Sequence, residues 1–201
     1  MNKTTLATCL LIVTALLVSA GWATKAVNAP PQDIISTPDT SLAVELSLDD
    51  MVKQSDAIVI GNCTETKSVW IDRSLVTLAT VSVTESLKGE ASTLTVALPG
   101  GVDANRKIPV AMTYPGAPQI RPGEDVFLFL TAESDVAGSY TVAGFSQGKF
   151  SIITDEDGQQ MVSRDLKKTV LQGNNGVRRG QSGATPLANF KAEVKGLLNK
   201  Q

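Results

Sequence analysis

Asp103, Glu124 and Asp125 stand at the two ends of one long Pro/Gly-rich connection, and paired carboxylates are what a hydrolase without histidine would use as general acid and base. Histidine is absent from all 201 residues. That absence removes Ser-His-Asp and Cys-His catalysis, His-ligated zinc and the commonest general base near neutral pH. Carboxylates, amines, hydroxyls and thiols are what remain. Nothing in the spacing fixes the separation two acids would need, and acids in exposed loops are common. No catalytic residue is assigned, and a His-independent hydrolase using loop carboxylates stays as the alternative to a non-enzymatic protein.

Three further groupings could do chemistry, and each has a plainer reading. Asp155-Glu156-Asp157-Gly158 offers oxygen ligands for calcium but lacks the remaining spaced ligands of a calcium loop, whereas Asp-Gly between two strands is a favoured hairpin turn. Pro99-Gly100-Gly101 could hold an anion on backbone amides, yet it opens no helix and brings no lysine, so it reads as a turn. Cys63 lies past a strand-ending glycine and reads as a small apolar filler, with no histidine to activate its thiol. No metal and no cofactor is expected.

Binding residues are easier to nominate. The connection from Val102 to Glu124 carries Arg106, Lys107 and Arg121, together with Tyr114 and the apolar Ile108, Val110 and Met112. Trp70, in a connection between strands, could add an exposed aromatic or be buried in the core. A basic, aromatic and apolar mixture suits a protein partner better than a polynucleotide. Charge agrees: without Lys3 the chain has 17 basic against 20 acidic residues, a net −3 with no footprint for nucleic acid. The doublets Lys167-Lys168 and Arg178-Arg179 read as solvated surface charge, with an anionic partner as the alternative. The opposing reading of the 102–124 connection is a lid that buries Val110 and Met112.

The elements that must position these residues are mostly strands. Ser47 with Asp50 three positions on predicts a capped short helix ending near Ser55, with Leu48, Met51 and Val52 on one face. Ala57-Ile58-Val59-Ile60 is a continuous apolar run, as in a strand covered on both sides. Ala79, Val81 and Val83 alternate with Thr80, Ser82 and Thr84, and the phase break at Leu78 predicts a bulge near Ala79. Leu94, Val96 and Leu98 alternate in the next strand, and Val126 to Leu130 is the most apolar run of the folded part. Shorter strands follow at 140–145, 150–153 and near Met161-Val162. Residues 165–185 lose periodicity and read as a mobile loop. Thr185 can cap a last helix with Pro186 in its first position, and Leu187, Phe190, Val194, Leu197 and Leu198 form its apolar stripe.

These elements imply a mainly β fold, a small antiparallel OB-like barrel of six or seven strands with a short N-terminal helix and a C-terminal amphipathic helix; a β-sandwich is the alternative. The order of the blocks SLDDMVKQSDAIVIGNCTE, TVSVTESLKGE, LTVALPGG, RPGEDVFLFL and YTVAGFSQGKF resembles exported bacterial β modules of undefined activity, and is similar to netrin-like and metalloproteinase-inhibitor-like domains. The resemblance spans Ser47 to about Thr154, and implies an OB-type barrel in which Gly144, Gln147, Gly148 and Lys149 form a tight packing turn. It does not extend to mechanism. Such inhibitors chelate a protease zinc through an N-terminal cysteine and are stapled by disulfides, and this chain has neither feature.

The N-terminus supplies the location. Lys3, the apolar run Leu6 to Val18 and the small residues Val18-Ser19-Ala20 make a secretory signal peptide over 1–20, with cleavage possible as far as 26. Thr4 to Ala23 carries no charge and could instead remain as a membrane anchor. The expected organisation is a flexible lead-in at 21–46, the barrel at 47–164, the loop at 165–185 and the helix at 186–200. The expected function is that of a secreted or periplasmic, monomeric module binding an extracytoplasmic protein, touching membrane only through the signal segment if that is uncleaved.

Overall fold

The computed structural model describes residues 39–132 and 134–200. The signal segment and the lead-in before Asp39 lie outside the described residues. Two long strands, β2 (Ala57–Ile71) and β3 (Ser74–Lys88), pair antiparallel around a turn in which Asp72 takes φ 52°. A short polar side chain tolerates that left-handed conformation better than a bulky one would.

Around this hairpin grows an eight-stranded sheet in the order β13-β10-β9-β7-β2-β3-β4, with β8 on the side of β7. Its other members are β4 (Thr93–Pro99), β7 (Asp125–Thr131), β8 (Thr141–Val142), β9 (Lys149–Thr154), β10 (Gln160–Arg164) and β13 (Gly183–Pro186). The pairings are antiparallel throughout. A second sheet joins β1 (Ser41–Val44) in parallel to β11 (Thr169–Gly173), which pairs with β12 (Gly176–Arg179). The hairpin β5 (Gly101–Asp103) and β6 (Val110–Met112) stands apart.

Alternation along the central strands divides the interior into two cores. Val59, Val81, Val96, Val126, Leu128 and Leu130 fill one face. Ile58, Phe127, Phe129 and Phe150 fill the other, under α1 (Leu48–Gln54) and α2 (Leu187–Leu198). Residues 57–59 and 126–130 are therefore buried on both faces, which is why they read as unbroken apolar runs. Gly61 is forced by close approach, since a Cβ there would lie 2.4 Å from the Ser82 carbonyl oxygen.

The fold is mainly β, with the two expected helices; the sheets do not close into a barrel, and their sandwich-like arrangement fits the alternative expectation. No ladder joins the β13 edge to the β4 edge. The chain after Phe150 adds β10 and β13 beyond β9, and among the described residues the side of β4 away from β3 meets an isolated parallel bridge, Val96 to Tyr140. Residues 165–185 are not a featureless loop: they contain β11, β12 and the start of β13. Gly173, Asn174, Asn175 and Gly176 form the turn between β11 and β12, where Gly176 takes φ 102°. Part of the lead-in is also a strand, β1.

Local details follow the same pattern. The Ser47–Asp50 capping box forms in both directions, each backbone bond 3.1 Å long. The bulge expected near Ala79 lies in the partner strand: the register slips between Cys63 and Glu65, leaving Thr64 as the extra residue. Thr185 does not cap α2, because it pairs with Val162 in the sheet; Pro186 takes the cap position without a side-chain bond. Gln147 is buried and ties two regions together, accepting from Leu46 N at 2.9 Å and donating to the Val44 carbonyl at 2.7 Å.

Candidate functional site

The nominated binding residues separate into two places. At the far end of β2, Trp70 Nε1 donates to Asp103 Oδ2 at 2.8 Å, and Arg106 Nε donates to the same oxygen at 3.1 Å. The Arg106 guanidinium lies 4.6 Å above the centre of the indole, a cation–π stack. The Trp70 hydrogen bond, aided by the Asn105 amide and Arg106, holds the Asp103 carboxyl below its ordinary range. Asp103 is thus an ionised acceptor already in use, and it does not line the cleft that Glu124 lines. Lys107 makes no hydrogen bond or ion pair among the described residues and joins neither group. Beside it, Ile108 is 76% exposed.

Tyr114 and Arg121 belong to the second place, an open cleft of about 1250 Å³. One wall is the segment 113–124, with Pro115, Pro118 and Pro122. The other is built from β9, the end of β10 and Asp165 to Lys168. Pro118 and Ile120 anchor the near wall in the interior, while Val110 and Met112 remain only half-buried. Tyr114 is 40% exposed.

The cleft floor carries a compact polar cluster. Lys149 Nζ donates to Glu124 Oε1 at 2.5 Å and to Ser151 Oγ at 2.7 Å; Ser151 Oγ donates to the same carboxylate oxygen at 2.7 Å. Arg121 N–H donates to Glu124 Oε2 at 2.9 Å. Burial would raise the Glu124 carboxyl, but the Lys149 and Ser151 hydrogen bonds outweigh it and hold the group below the usual carboxylate range. A hydroxyl beside an amine is also the geometry of an activated nucleophile. Here the amine is already engaged by Glu124 and donates to the hydroxyl rather than accepting from it. Lys149, expected only as part of a packing turn, opens β9 instead, and Ser151 was not singled out, although their i, i+2 spacing on a strand places them on one face.

The wall is seated by Gly116. Its φ is 68°, and a Cβ would lie 2.5 Å from Ser41 Oγ and 2.7 Å from Thr169 Oγ1. Gly116→Ala is expected to cost about 1–3 kcal/mol through that contact and the left-handed backbone. Thermal melting checks it: the midpoint should fall by several degrees, and an unchanged midpoint would show that the wall is not seated there.

The remaining candidates have structural uses. The Asp155 carboxylate accepts from the Asp157 and Gln159 amides, and Gly158 N–H bonds to the Asp155 carbonyl, which completes a hairpin turn. No group of three metal-ligating side chains gathers among the described residues. The Gly100 amide donates to the Leu75 carbonyl and the Val102 amide to Ser68 Oγ, so these amides are not free for an anion. Cys63 is fully buried, and burial pushes its thiol up. No helix among the described residues is long and apolar enough to cross a membrane. Comparison with protein-family models, curated proteins and solved structures finds no match.

Proposed function

We propose that the protein is an exported, non-enzymatic module that binds a protein partner in the cleft beside Tyr114. The observation that carries this reading is the cleft itself, at about 1250 Å³. That exceeds the ordinary range for small-molecule sites, about 300–1,000 Å³. Its prolines, half-exposed tyrosine and free Arg121 head are groups that protein interfaces use. The rival hydrolase reading has less support, because Asp103 is occupied by Trp70 and Arg106 while Glu124 is occupied by Lys149 and Ser151.

The curved portion formed by β2, β3, β4, β7 and β8 we read as a partly open relative of an OB barrel. The Val96–Tyr140 bridge supports this, because it brings β4 to the chain just before β8. Binding through loops at one end of such a scaffold is the common arrangement.

Site-specific photo-crosslinking in the producing cell tests the function. A crosslinker in place of Tyr114 should yield a discrete protein adduct in the envelope or medium, and one in place of Lys53 on α1 should not. Adducts of equal yield at both positions, or none at Tyr114, would remove the cleft as the working surface.

A further inference from the structure

The cleft's own charges say what kind of segment it accepts, if the binding reading above holds. Its walls carry Arg121, Lys149, Lys167 and Lys168 against Asp39, Glu124 and Asp165. This is an excess of one positive charge on a chain whose net charge is −2. The internal pairings are specific. Lys149 is matched by Glu124 on the floor, and Lys168 lies 3.4 Å from Asp39. Asp165 spends one oxygen on the Lys167 amide and on Ser182 Oγ. Two cationic heads are left outside an ion pair, although the Asp165 carboxylate keeps its charge and interacts with Lys167 at longer range. Neither Arg121 nor Lys167 lies within ion-pair distance of a carboxylate among the described residues, and both are exposed on opposite walls.

We propose that the cleft holds an extended, acidic polypeptide segment, with its carboxylates on Arg121 and Lys167 and its backbone against Tyr114. The sign follows from the cleft's excess of one positive charge and from Arg121 and Lys167, the two heads outside any ion pair. A like-signed segment would meet them without compensation, while an acidic one is steered in and held in register. The polymeric character follows from the cleft volume, and the extended form from the groove between the 113–124 wall and the β9–β10 wall. Thr113 and Ser163 line these walls and add hydroxyls able to bond a peptide backbone. Arg121 is the better anchor of the two, because its planar fork grips a carboxylate through two donors.

The test uses the exported protein and a short fluorescein-labelled peptide of alternating Glu and Ser, read by fluorescence anisotropy. The peptide should bind, and binding should weaken as salt is raised. Arg121→Glu and Lys167→Glu should each lower affinity by about tenfold, whereas Arg121→Lys keeps most of it. Lys53→Glu, the same charge change on distant α1, should leave it unchanged. The inference is overturned if a Lys/Ser peptide binds as tightly, if polygalacturonate binds better than the Glu/Ser peptide, or if Arg121→Glu has no effect. These outcomes are separable from failure of the parent reading: a Tyr114 adduct with a non-acidic segment removes the acidic inference alone, while absence of any adduct removes both.

Discussion

Phe190→Ala should cost about 3–5 kcal/mol and loosen α2 from the sheet, the largest effect expected from any single truncation here. Phe190 is 8% exposed and is the element through which the helix enters the second core. Its ring centroid lies 4.7 Å from Phe150, 5.1 Å from Phe127 and 6.2 Å from Phe129. Removing it loses aromatic contacts as well as buried area, and the three remaining rings belong to strands that cannot collapse into the gap. For a domain of this size the melting midpoint should drop by on the order of 10 °C. Phe190→Leu keeps most of the volume and should cost only about 1–2 kcal/mol. Denaturant unfolding measures both. A Phe190→Ala loss below about 1 kcal/mol would mean that α2 contributes little and is a surface attachment.

The docking of α2 was legible because Leu187, Phe190 and Val194 repeat at helical spacing, and the central strands were legible because Ala79, Val81 and Val83 repeat every second residue. Periodicity reports which face of an element is buried. It does not report which element lies next to it. That is why the sheets do not follow the expected closure: the strand cores at 57–60, 76–85, 94–98 and 126–130 were visible, but the run of β2 past Gly61 to Ile71, with Trp70 inside it rather than in a connection, and the addition of β10 and β13 beyond β9 are choices of neighbour. The parallel pairing of β1 with β11 is harder still, since Ser41 and Thr169 meet only through long-range packing. Residues 165–185 misled for another reason. The glycines and asparagines at 173–176 signalled chain reversal, and a tight reversal between two short exposed strands has the same composition as a loop.

The candidate site shows the same division. Tyr114 and Arg121 could be nominated because their types are unusual in a Pro/Gly-rich connection. Trp70 and Arg106 are not neighbours in sequence, yet a single carboxylate, Asp103, gathers both. The spacing of Lys149 and Ser151 put them on one face of a strand but named no partner, because they reach Glu124 across 25 and 27 residues of sequence. Nothing about one lysine and one serine on a strand distinguishes them until the opposite wall is known.

That floor should make stability depend on pH in a way that reverses when its cation is removed. In the native protein the Glu124 carboxyl is held below its ordinary range. A group depressed on folding contributes stability above its unfolded pKa, about 4.3 for glutamate, and loses that contribution as pH falls through the folded value. The Glu124 contribution is therefore complete at neutral pH and fades in acid below about pH 4.5. In Lys149→Met the carboxylate keeps its burial but loses its cation. Lys149 and Glu124 side chains are only 14% and 21% exposed, so the unpaired charge is not freely solvated. The remaining exposure moderates the cost to about 2–3 kcal/mol at pH 7. Without the lysine, desolvation drives the carboxyl upward, so Glu124 now favours the folded state in acid and opposes it as pH rises through the raised value. Denaturant unfolding of the native protein and of Lys149→Met at pH 7 and at about pH 4 distinguishes the cases. The difference between the two proteins should shrink by at least half at the lower pH, and Glu124→Gln in the Lys149→Met background should remove the part of that change that comes from the variant's own carboxyl. A penalty equal at both pH values would mean that Lys149 supports the cleft by packing its methylene stem, and that the ion pair contributes nothing to holding β9 against the 113–124 wall.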